Sequence, residues 1–533
     1  VRGPWQVCEE DRADIVVVGS GAAGMNAAIY AAQLGARVTL LDKGSIGRSG
    51  ASIQANVSAS VAPEGRWEKH AEDIVRTGAG LARPELAEVL ASQALVCFKD
   101  WLNWGVRFEL NDDGSFVRTL SRGHSEPRAV SPGYGMGEKV CRALRRQIRK
   151  LPNIVCRPYT SAVDLLVEDN EVGGLLAWDM QEGAFFSISA PSVVIATGGG
   201  QSAFLSSTAS RHLTGDGFAM ARRAGADLVD LEFVLCVPVC MIAPRPIGLS
   251  RTILEPVRKV AGDLHDAGGR NFITEYVPSE GAQAPWADLS RGIAQAVRDG
   301  RGFEDGTVTF VADDRQLAAI GEVFPSILTK LSQQGVDLRE GVRVRPMAHF
   351  FPGGIAISRS AESTVAGLFA AGEAAGGVHG ATRLGGDALT AAGVFGAVAG
   401  RSAAARSVSH RNVTSIRQSA IRRIDAVLST AFAATTGVRD NLYLARSTLE
   451  EAGGPLRRRA ELAAGYKALE LLSPGMGEQF KGSPRMSYSF SQALDLRNII
   501  DTGQLVLQAA LRRTENLGSH FTMDDVPAPT TIP

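Results

Sequence analysis

Gly19, Gly21 and Gly24 stand in G-x-G-x-x-G spacing inside the segment Ala13–Asp42, ADIVVVGSGAAGMNAAIYAAQLGARVTLLD. The first glycine permits a tight turn, the second lets backbone approach a pyrophosphate, and the third lets a helix pack closely on a strand. Asp42 ends the segment where a carboxylate accepts both hydroxyls of a ribose, and an acid there favours a free 2′-hydroxyl over a 2′-phosphate. Two more glycine clusters close apolar runs: Thr197-Gly198-Gly199-Gly200 follows Ser192–Ala196, and Gly372-Glu373 follows Gly367–Ala371. A strand that ends in glycines brings a further stretch of backbone near a flat or charged ligand. The chemistry these residues suit is the binding of a dinucleotide.

A parallel sheet must position them. Ile15–Val18 is β-branched with no polar face, as a strand buried on both sides of such a sheet requires. A helix beginning near Ala22 would aim its first N–H groups at phosphate, and Arg37–Leu41 makes the second strand. Helices are predicted over Pro84–Trp104 and Glu138–Lys150, a strand over Ser192–Ala196, and an Ala/Gly-rich helix running to Gly400. Together these predict an α/β fold with a Rossmann-like dinucleotide-binding domain, discontinuous over residues 1–235 and 346–406. Residues 236–345 change character, with prolines, charged loops and short strands such as Val308–Val311, and read as an inserted α+β capping domain. Residues 407–533 are rich in Arg, Ala and Leu with helical periodicity, as at Leu442, Ala445 and Leu449 and from Leu456 to Leu469, and read as a C-terminal helical bundle.

The 56 basic and 56 acidic side chains of the 533 residues cancel. No global field favours nucleic acid or an anionic membrane, so a small anionic substrate must be captured by local charges. Cys8, Cys97, Cys141, Cys156, Cys236 and Cys240 show no C-x-x-C, haem-attachment or iron–sulfur spacing. That usage fits a reducing, cytoplasmic setting and a protein with no metal site. The opening VRGPWQVCEEDRAD carries no apolar targeting core, and Leu384–Gly400 is interrupted by Asp387 and glycines, so neither an export signal nor a membrane span is expected. An oligomer remains open.

Further motifs follow the N-terminal GSGAAG in order: SGASIQA (Ser49–Ala55), GHSEPR (Gly123–Arg128), ATGGG (Ala196–Gly200), TGDG (Thr214–Gly217), LEF (Leu231–Phe233), ExxR (Glu255–Arg258), Arg291 in LSRGIAQAV, AHFFPGG (Ala348–Gly354), AAGEAAGGVHGATRLGG (Ala370–Gly386) and RTENLGSH (Arg513–His520). In this order, and over most of the chain, they resemble the fumarate reductase / succinate dehydrogenase / L-aspartate oxidase flavoprotein family. The resemblance implies that the dinucleotide is FAD and not a nicotinamide, in keeping with a single dinucleotide fingerprint. Members with covalent flavin attach it through a His near the segment matching Ser49–Ala51. Arg48–Ser52 offers no His, so non-covalent FAD is expected. Carried over residue by residue, Ser49, Gly50, Thr197, Gly198, Asp216, Glu373 and Leu389 would contact flavin, ribityl chain or pyrophosphate. Ala22, Ala23, Lys43, Ser52, Gln54, Ala55, Val163, Gly199 and Ala388 complete the expected cofactor-binding set with the three glycines and Asp42. The family's Asn-Ser after RLGG is Asp387-Ala388 here.

Moving hydrogen between a flavin and a carbon–carbon bond beside a carboxylate needs a clamp for the acid, flavin N5 at one carbon, and a proton donor or acceptor at the other. Arg383 and His349 resemble the family's carboxylate clamp. Arg291 matches its proton-transferring arginine, and Glu255 with Arg258 its proton relay. Each has a plainer reading: structural hydrogen bonds for Arg383 and His349, a solvated helix position for Arg291, an ordinary i,i+3 ion pair for Glu255 and Arg258.

Relatives acting on four-carbon dicarboxylates hold the distal carboxylate with a His and a Thr, and the matching positions here are Val237 and Leu254. A second carboxylate buried against two aliphatic side chains lacks a counter-charge. The expected substrate therefore keeps one carboxylate at Arg383 and His349, turns an apolar tail toward Val237 and Leu254, and is not a simple four-carbon dicarboxylate. Lys259 could take a distal anion from another direction, which keeps a dicarboxylate as an alternative. The expected activity is FAD-dependent interconversion of a saturated and an α,β-unsaturated acid, with O2 or a soluble electron acceptor or donor. The alternatives are an L-aspartate-oxidase-like oxidation of an amino acid to an imine with hydrogen peroxide, the flavoprotein component of an electron-transfer complex, and a flavin-binding scaffold without catalysis.

Overall fold

Short apolar runs buried on both faces build the centre of the molecule. A five-stranded parallel sheet has the order Leu368–Ala370, Ser192–Ile195, Ile15–Val18, Val38–Leu41, Ile154–Arg157, and its middle strands expose no face, as helices packed on both sides require. The computed structural model describes residues 7–55, 58–133, 135–244, 250–278, 281–406, 437–472 and 487–525. Gly19 makes the turn after the first strand at φ +98, and a Cβ there would lie 2.4 Å from the Ala196 carbonyl oxygen. Only glycine lets the ends of these two neighbouring strands meet. The helix Ala22–Gln33 follows at once, and the predicted helices appear as Pro84–Asn103 and Met136–Ile148.

The helix Asp387–Ala405 lies against Ala22–Gln33. A Cβ on Gly396 or Gly400 would fall 2.4 or 2.3 Å from the carbonyl oxygens of Ala23 and Ala27, so the two backbones touch with no side chain between them. Among the described residues this is the helix long and apolar enough to cross a membrane, and 72% of its apolar window is buried inside the protein.

A second sheet on the same body was not anticipated. Thr160–Glu168, Glu171–Asp179 and Ala184–Ser189 pair antiparallel, with Val7–Arg12 added in parallel at the edge. Between Leu235 and Phe350 the chain forms another antiparallel sheet, Leu235–Ala243, Val342–Phe350, Val308–Val311 and Asp263–His265. This part carries its own core, including Val239, Leu254, Phe272, Ile293, Phe310 and Val344. The helices Val438–Gly453, Arg459–Leu471 and Tyr488–Arg512 pack together, burying Leu442, Ala445, Leu449 and Leu462 with Ile499, Val506 and Leu507 in a core continuous with the parallel sheet. Of the helical bundle predicted over 407–533, residues 407–436, 473–486 and 526–533 lie outside the described residues.

Candidate active site

A cavity of about 470 Å³ runs from the N-terminal glycine turn to the sheet of residues 235–350. Its first half is backbone and small side chains. Gly19, Gly21 and Ala23 line it, as do Ser49, Gly50, Ser52, Gln54 and Ala55. Thr197, Gly198, Glu373, Ala388 and Leu389 close the other side.

Four expected cofactor residues stand behind this wall. Gly24 makes room for the Gly19 carbonyl, 1.8 Å from where its Cβ would be, and Gly199 makes room for the Glu373 carboxyl at 2.7 Å. The Ala22 N–H donates to Ser52 Oγ at 3.0 Å, so that helix-terminal donor is already used. Val163 is core, and its carbonyl accepts from Arg223 Nη2 at 3.3 Å. Thr160, Ser161 and Ala162 reach the cavity instead. The pairing slips between Ala162 and Asp164, and a bulge of this kind moves a residue off the face that sequence counting gives it.

Asp42 needs a correction. One carboxylate oxygen accepts from the Ser20 N–H at 2.9 Å and the Ser20 hydroxyl at 2.5 Å, the other from the Gly44 N–H at 2.7 Å and the Ser49 hydroxyl at 2.6 Å. With all four acceptor positions filled, the acid fixes the loops around the cavity and has none left for ribose hydroxyls. Lys43 is likewise engaged, at 2.7 Å from Asp216 and 3.0 Å from Asp495, with Thr214 Oγ1 at 2.8 Å. Burial works against its ammonium, but the two carboxylates outweigh that and hold its pKa above the ordinary lysine value.

Whether a dinucleotide suits this half can be tested on what it leaves open. Gly50 sits at φ +77 with nothing within 4 Å of a Cβ position. The buried Thr197 hydroxyl has no partner among the described residues. Exposed backbone and an orphaned hydroxyl on one cavity wall are what a bound dinucleotide would cover and satisfy.

The other half is charged. Arg383 stacks on Phe350, its Cζ 4.6 Å from the ring centroid, donates to the Leu384 carbonyl at 3.0 Å and keeps its Nε buried and unpartnered. Burial, then Arg122, brings its pKa down to about 10, so it remains a cation. His349 Nδ1 lies 2.8 Å from Thr208 Oγ1. Burial, then Arg383 and Arg122, pushes its pKa down to about 3. The ring is neutral, and in the tautomer in which the Thr208 hydroxyl donates to Nδ1 the hydrogen rests on Nε2, ready to be donated. The pair offers one cation and one neutral donor.

Glu255 lines the cavity and is held by Arg258 through two contacts of 2.8 Å and by the indole N–H of Trp286. Arg258, 1% exposed, also donates to the Ala282 and Ala284 carbonyls and does not face the cavity. It holds Glu255 in place. The expectation for Arg291 is overturned: it pairs with Asp288 and lies over Phe521, Cζ 4.7 Å from the ring, away from the cavity. It is neither in the cavity nor fully solvated, its side chain being 28% exposed. Trp286 opens the same helix, Trp286–Arg298, and reaches the cavity. Five positions along an α-helix turn by about 140°, so the two cannot share a face.

Leu254 is also misplaced by sequence matching, being 0% exposed in the core of the 235–350 region. Val237 does line the cavity, but so do Arg122 and Lys259. The expected apolar far wall is therefore wrong: Lys259, expected only as an alternative partner for an anion, and Arg122, which no motif assigned, share it. Arg122, Trp286 and Thr208 are the residues sequence reasoning missed. Arg122 directly precedes GHSEPR and Trp286 opens the helix of Arg291, so proximity to a motif was their only signal.

His349 and the buried His379, both lowered to about 3 chiefly by burial, are neutral in the folded protein. Unfolded histidines titrate near 6.5, so below that pH the unfolded chain binds more protons and these groups withdraw stability as pH falls toward 3. Glu373, raised to about 7 by burial, acts in the opposite sense between roughly 7 and 4.5. Urea midpoints measured from pH 7 to 4.5 for wild type and His379→Asn separate the two, and the variant should lose less stability on acidification.

Residues 14–389 match the family model for an FAD binding domain, and residues 444–528 that for the fumarate reductase flavoprotein C-terminal region. The chain is 31% identical to a fumarate reductase (CoM/CoB) polypeptide of Methanothermobacter marburgensis over 522 residues, covering 96% of this chain and 94% of the other. It is 30% identical to an L-aspartate oxidase of Nostoc sp. over 538 residues, covering 96% and 90%. Among solved structures, Mycobacterium smegmatis Sdh1 in complex with UQ1 superposes with a TM-score of 0.87 at 28% identity, covering 97% of this chain and 90% of that one. The E. coli quinol fumarate reductase FrdA shares the fold, with a TM-score of 0.86 at 24% identity, covering 97% and 92%.

Proposed function

The chain belongs to the fumarate reductase / succinate dehydrogenase / L-aspartate oxidase family of FAD-dependent oxidoreductases, and on that premise we propose that it interconverts a saturated and an α,β-unsaturated carboxylic acid. The observation that carries this is Arg383 beside His349 at the far end of the cofactor cavity. FAD supplies the hydride acceptor or donor at ring N5. Arg383 takes the substrate carboxylate on its free N–H edge, and His349 Nε2 donates to the same group. Both draw charge toward the carboxylate as the adjacent carbon becomes electron-rich. With Arg291 away from the cavity, the proton at the second carbon is assigned to Glu255, whose carboxylate is oriented by Arg258 and Trp286. Residues 236–345 act as the cap that excludes water, and 1–235 with 346–406 as the cofactor-binding domain. A cytoplasmic setting belongs to the same proposal, supported by five unpaired thiols among the described residues.

The displacement of Arg291 favours a second reading, oxidation of an amino acid. There the Cα hydrogen leaves as hydride and the second hydrogen leaves nitrogen as a proton, so no proton carrier is needed at carbon. The names of the Sdh1 and CoM/CoB fumarate reductase relatives support a third, in which the chain serves a larger electron-transfer assembly. Anaerobic mixing of the FAD-loaded protein with saturated acids and amino acids separates the first two. Bleaching of the flavin by an acid lacking an amino group is the expected result. Bleaching by amino acids alone, with hydrogen peroxide on readmission of air, would replace the first reading by the second.

A further inference from the structure

Asp387 stands where the motif of the family has Asn, and it is completely buried. It opens the helix Asp387–Ala405. Gly385, Gly386, Ala388 and Leu389 on either side of it line the cavity, whereas its own carboxylate lies behind that wall. There His70 Nε2 is 3.1 and 3.2 Å from the two carboxylate oxygens. An ionised carboxylate only accepts, so Nε2 carries the hydrogen. A second hydrogen, on His70 Nδ1, would have no acceptor, because that nitrogen is buried without a partner among the described residues. The pair thus holds a single negative charge. The rings around it bring no cation. Arg128 Nη1 lies 3.2 Å from His124 Nδ1 and a guanidinium only donates, so His124 is neutral, with its Nε2 hydrogen on the Gly385 carbonyl at 2.7 Å. His379 is neutral as well, and Arg128 is paired with Asp73 at 2.6 Å. Arg383 feels the carboxylate from the cavity side, but that cation is the one a substrate answers. An acid in the first turn of a helix also cancels part of the positive field that its N-terminus projects, here toward the cavity. Asn would leave that field whole.

Resting on the reading that this cavity holds FAD and exchanges hydride with an acid, we propose that Asp387 sets the potential of the site: its buried carboxylate, hydrogen-bonded by His70, lowers the reduction potential of FAD bound in front of it and tilts the exchange toward the saturated acid. Above neutral pH a flavin takes up more electrons than protons on reduction, and a fixed anion close behind the wall opposes the added negative charge. In the favoured direction the carbon–carbon double bond gains a hydride and a proton, and a soluble low-potential electron donor, reduced viologen in the assay, supplies the electron pair. Bleaching by a saturated acid then requires that acid in excess.

The test uses the FAD-loaded full chain without substrate, equilibrated above neutral pH with a reference dye during slow reduction. Asp387→Asn should raise the ratio of reduced to oxidised flavin at a fixed potential by about 10-fold, which is about 30 mV for a two-electron couple. Asn keeps an acceptor for His70 and is the residue the motif carries in the family, so the start of the helix should survive. Asp387→Ser removes the charge by another route if the Asn variant releases FAD. Asp387→Glu keeps the charge and should stay within about twofold of wild type; where it does not hold FAD, the two neutral variants decide alone. A ratio unchanged within about twofold in the neutral variants overturns the proposal, and so does an equal rise in Asp387→Glu, which would trace the effect to packing. Anaerobic titration of the reduced protein with crotonate or fumarate reads the tilt, and its equilibrium should lie about 10-fold further toward the saturated acid in wild type than in Asp387→Asn. The underlying reading fails separately: a reduced protein that neither acid reoxidises would sink it, whatever the dye measurement shows for Asp387.

Discussion

Arg383→Met lowers kcat/KM for the bleaching acid by about 10²–10³-fold and leaves bound FAD in place. Truncating one partner of a buried, hydrogen-bonded charge pair costs about 2–5 kcal/mol, because the other charge is left in the cavity without an answer. Both kinetic constants should move: KM because the carboxylate loses its anchor, kcat because the same guanidinium stabilises charge that grows during the reaction. Arg383→Lys keeps the charge but not the planar fork, and should recover only part of the activity. Removing this cation also relieves its push on His349 and His379, whose depressed pKa values owe a share to it after burial, so both should rise. Steady-state kinetics with the flavin spectrum as loading control decides the matter. Wild-type kcat/KM in a flavin-loaded Arg383→Met protein would remove this residue from substrate binding.

Lys43→Met should cost about 3–5 kcal/mol of folding stability. The substitution leaves Asp216 and Asp495 facing each other without the ammonium that bridges them. Two carboxylates confined in one site cannot both stay ionised, and one takes up a proton. The loss should therefore be largest at pH 8 and partly recovered at pH 5, and Lys43→Met combined with Asp495→Asn should regain more stability than the pH change does. Because Asp216 lines the cofactor half of the cavity and Asp495 belongs to the helix Tyr488–Arg512, FAD affinity should fall together with stability. Urea unfolding at the two pH values measures the first effect and flavin titration the second. A loss under about 1 kcal/mol would show the triad to be an ordinary solvated ion pair.

Most of the parallel sheet was legible: Ile15–Val18, Ser192–Ile195 and Leu368–Ala370 are short apolar runs leading into glycines, Val38–Leu41 is an apolar run ended by Asp42, and strands buried on both faces read that way; the edge strand Ile154–Arg157, with Cys156 and Arg157 in it, was not. The antiparallel sheet with Val7–Arg12 at its edge was not, since its strands mix glycine, charge and aromatic residues, and its bulge at Val163 breaks the two-residue period. On the site, motif spacing located the residues that touch through backbone, such as Gly19, Gly50 and Gly198. It failed where side-chain direction decides: Arg291 and Trp286 lie about 1.4 turns apart on one helix, and only the fold says which of them looks inward. Asp42 fails for a different reason. Its position is right, but the Ser20 and Ser49 hydroxyls that consume its lone pairs are short side chains whose partner cannot be named from spacing. Arg122 arrives from a loop with no periodicity at all.

The glycine seam between Ala22–Gln33 and Asp387–Ala405 reaches as far as the cofactor half of the cavity. Gly396 and Gly400 do not line the cavity, yet a single methyl group on either would drive into a main-chain oxygen. The same helix carries Ala388 and Leu389 at its start, so wedging the seam apart would shift a wall of the cavity that would hold FAD. The two glycines thus tie the position of that wall to the packing of the body, and a bulkier side chain at either should loosen the cofactor half of the cavity from a distance.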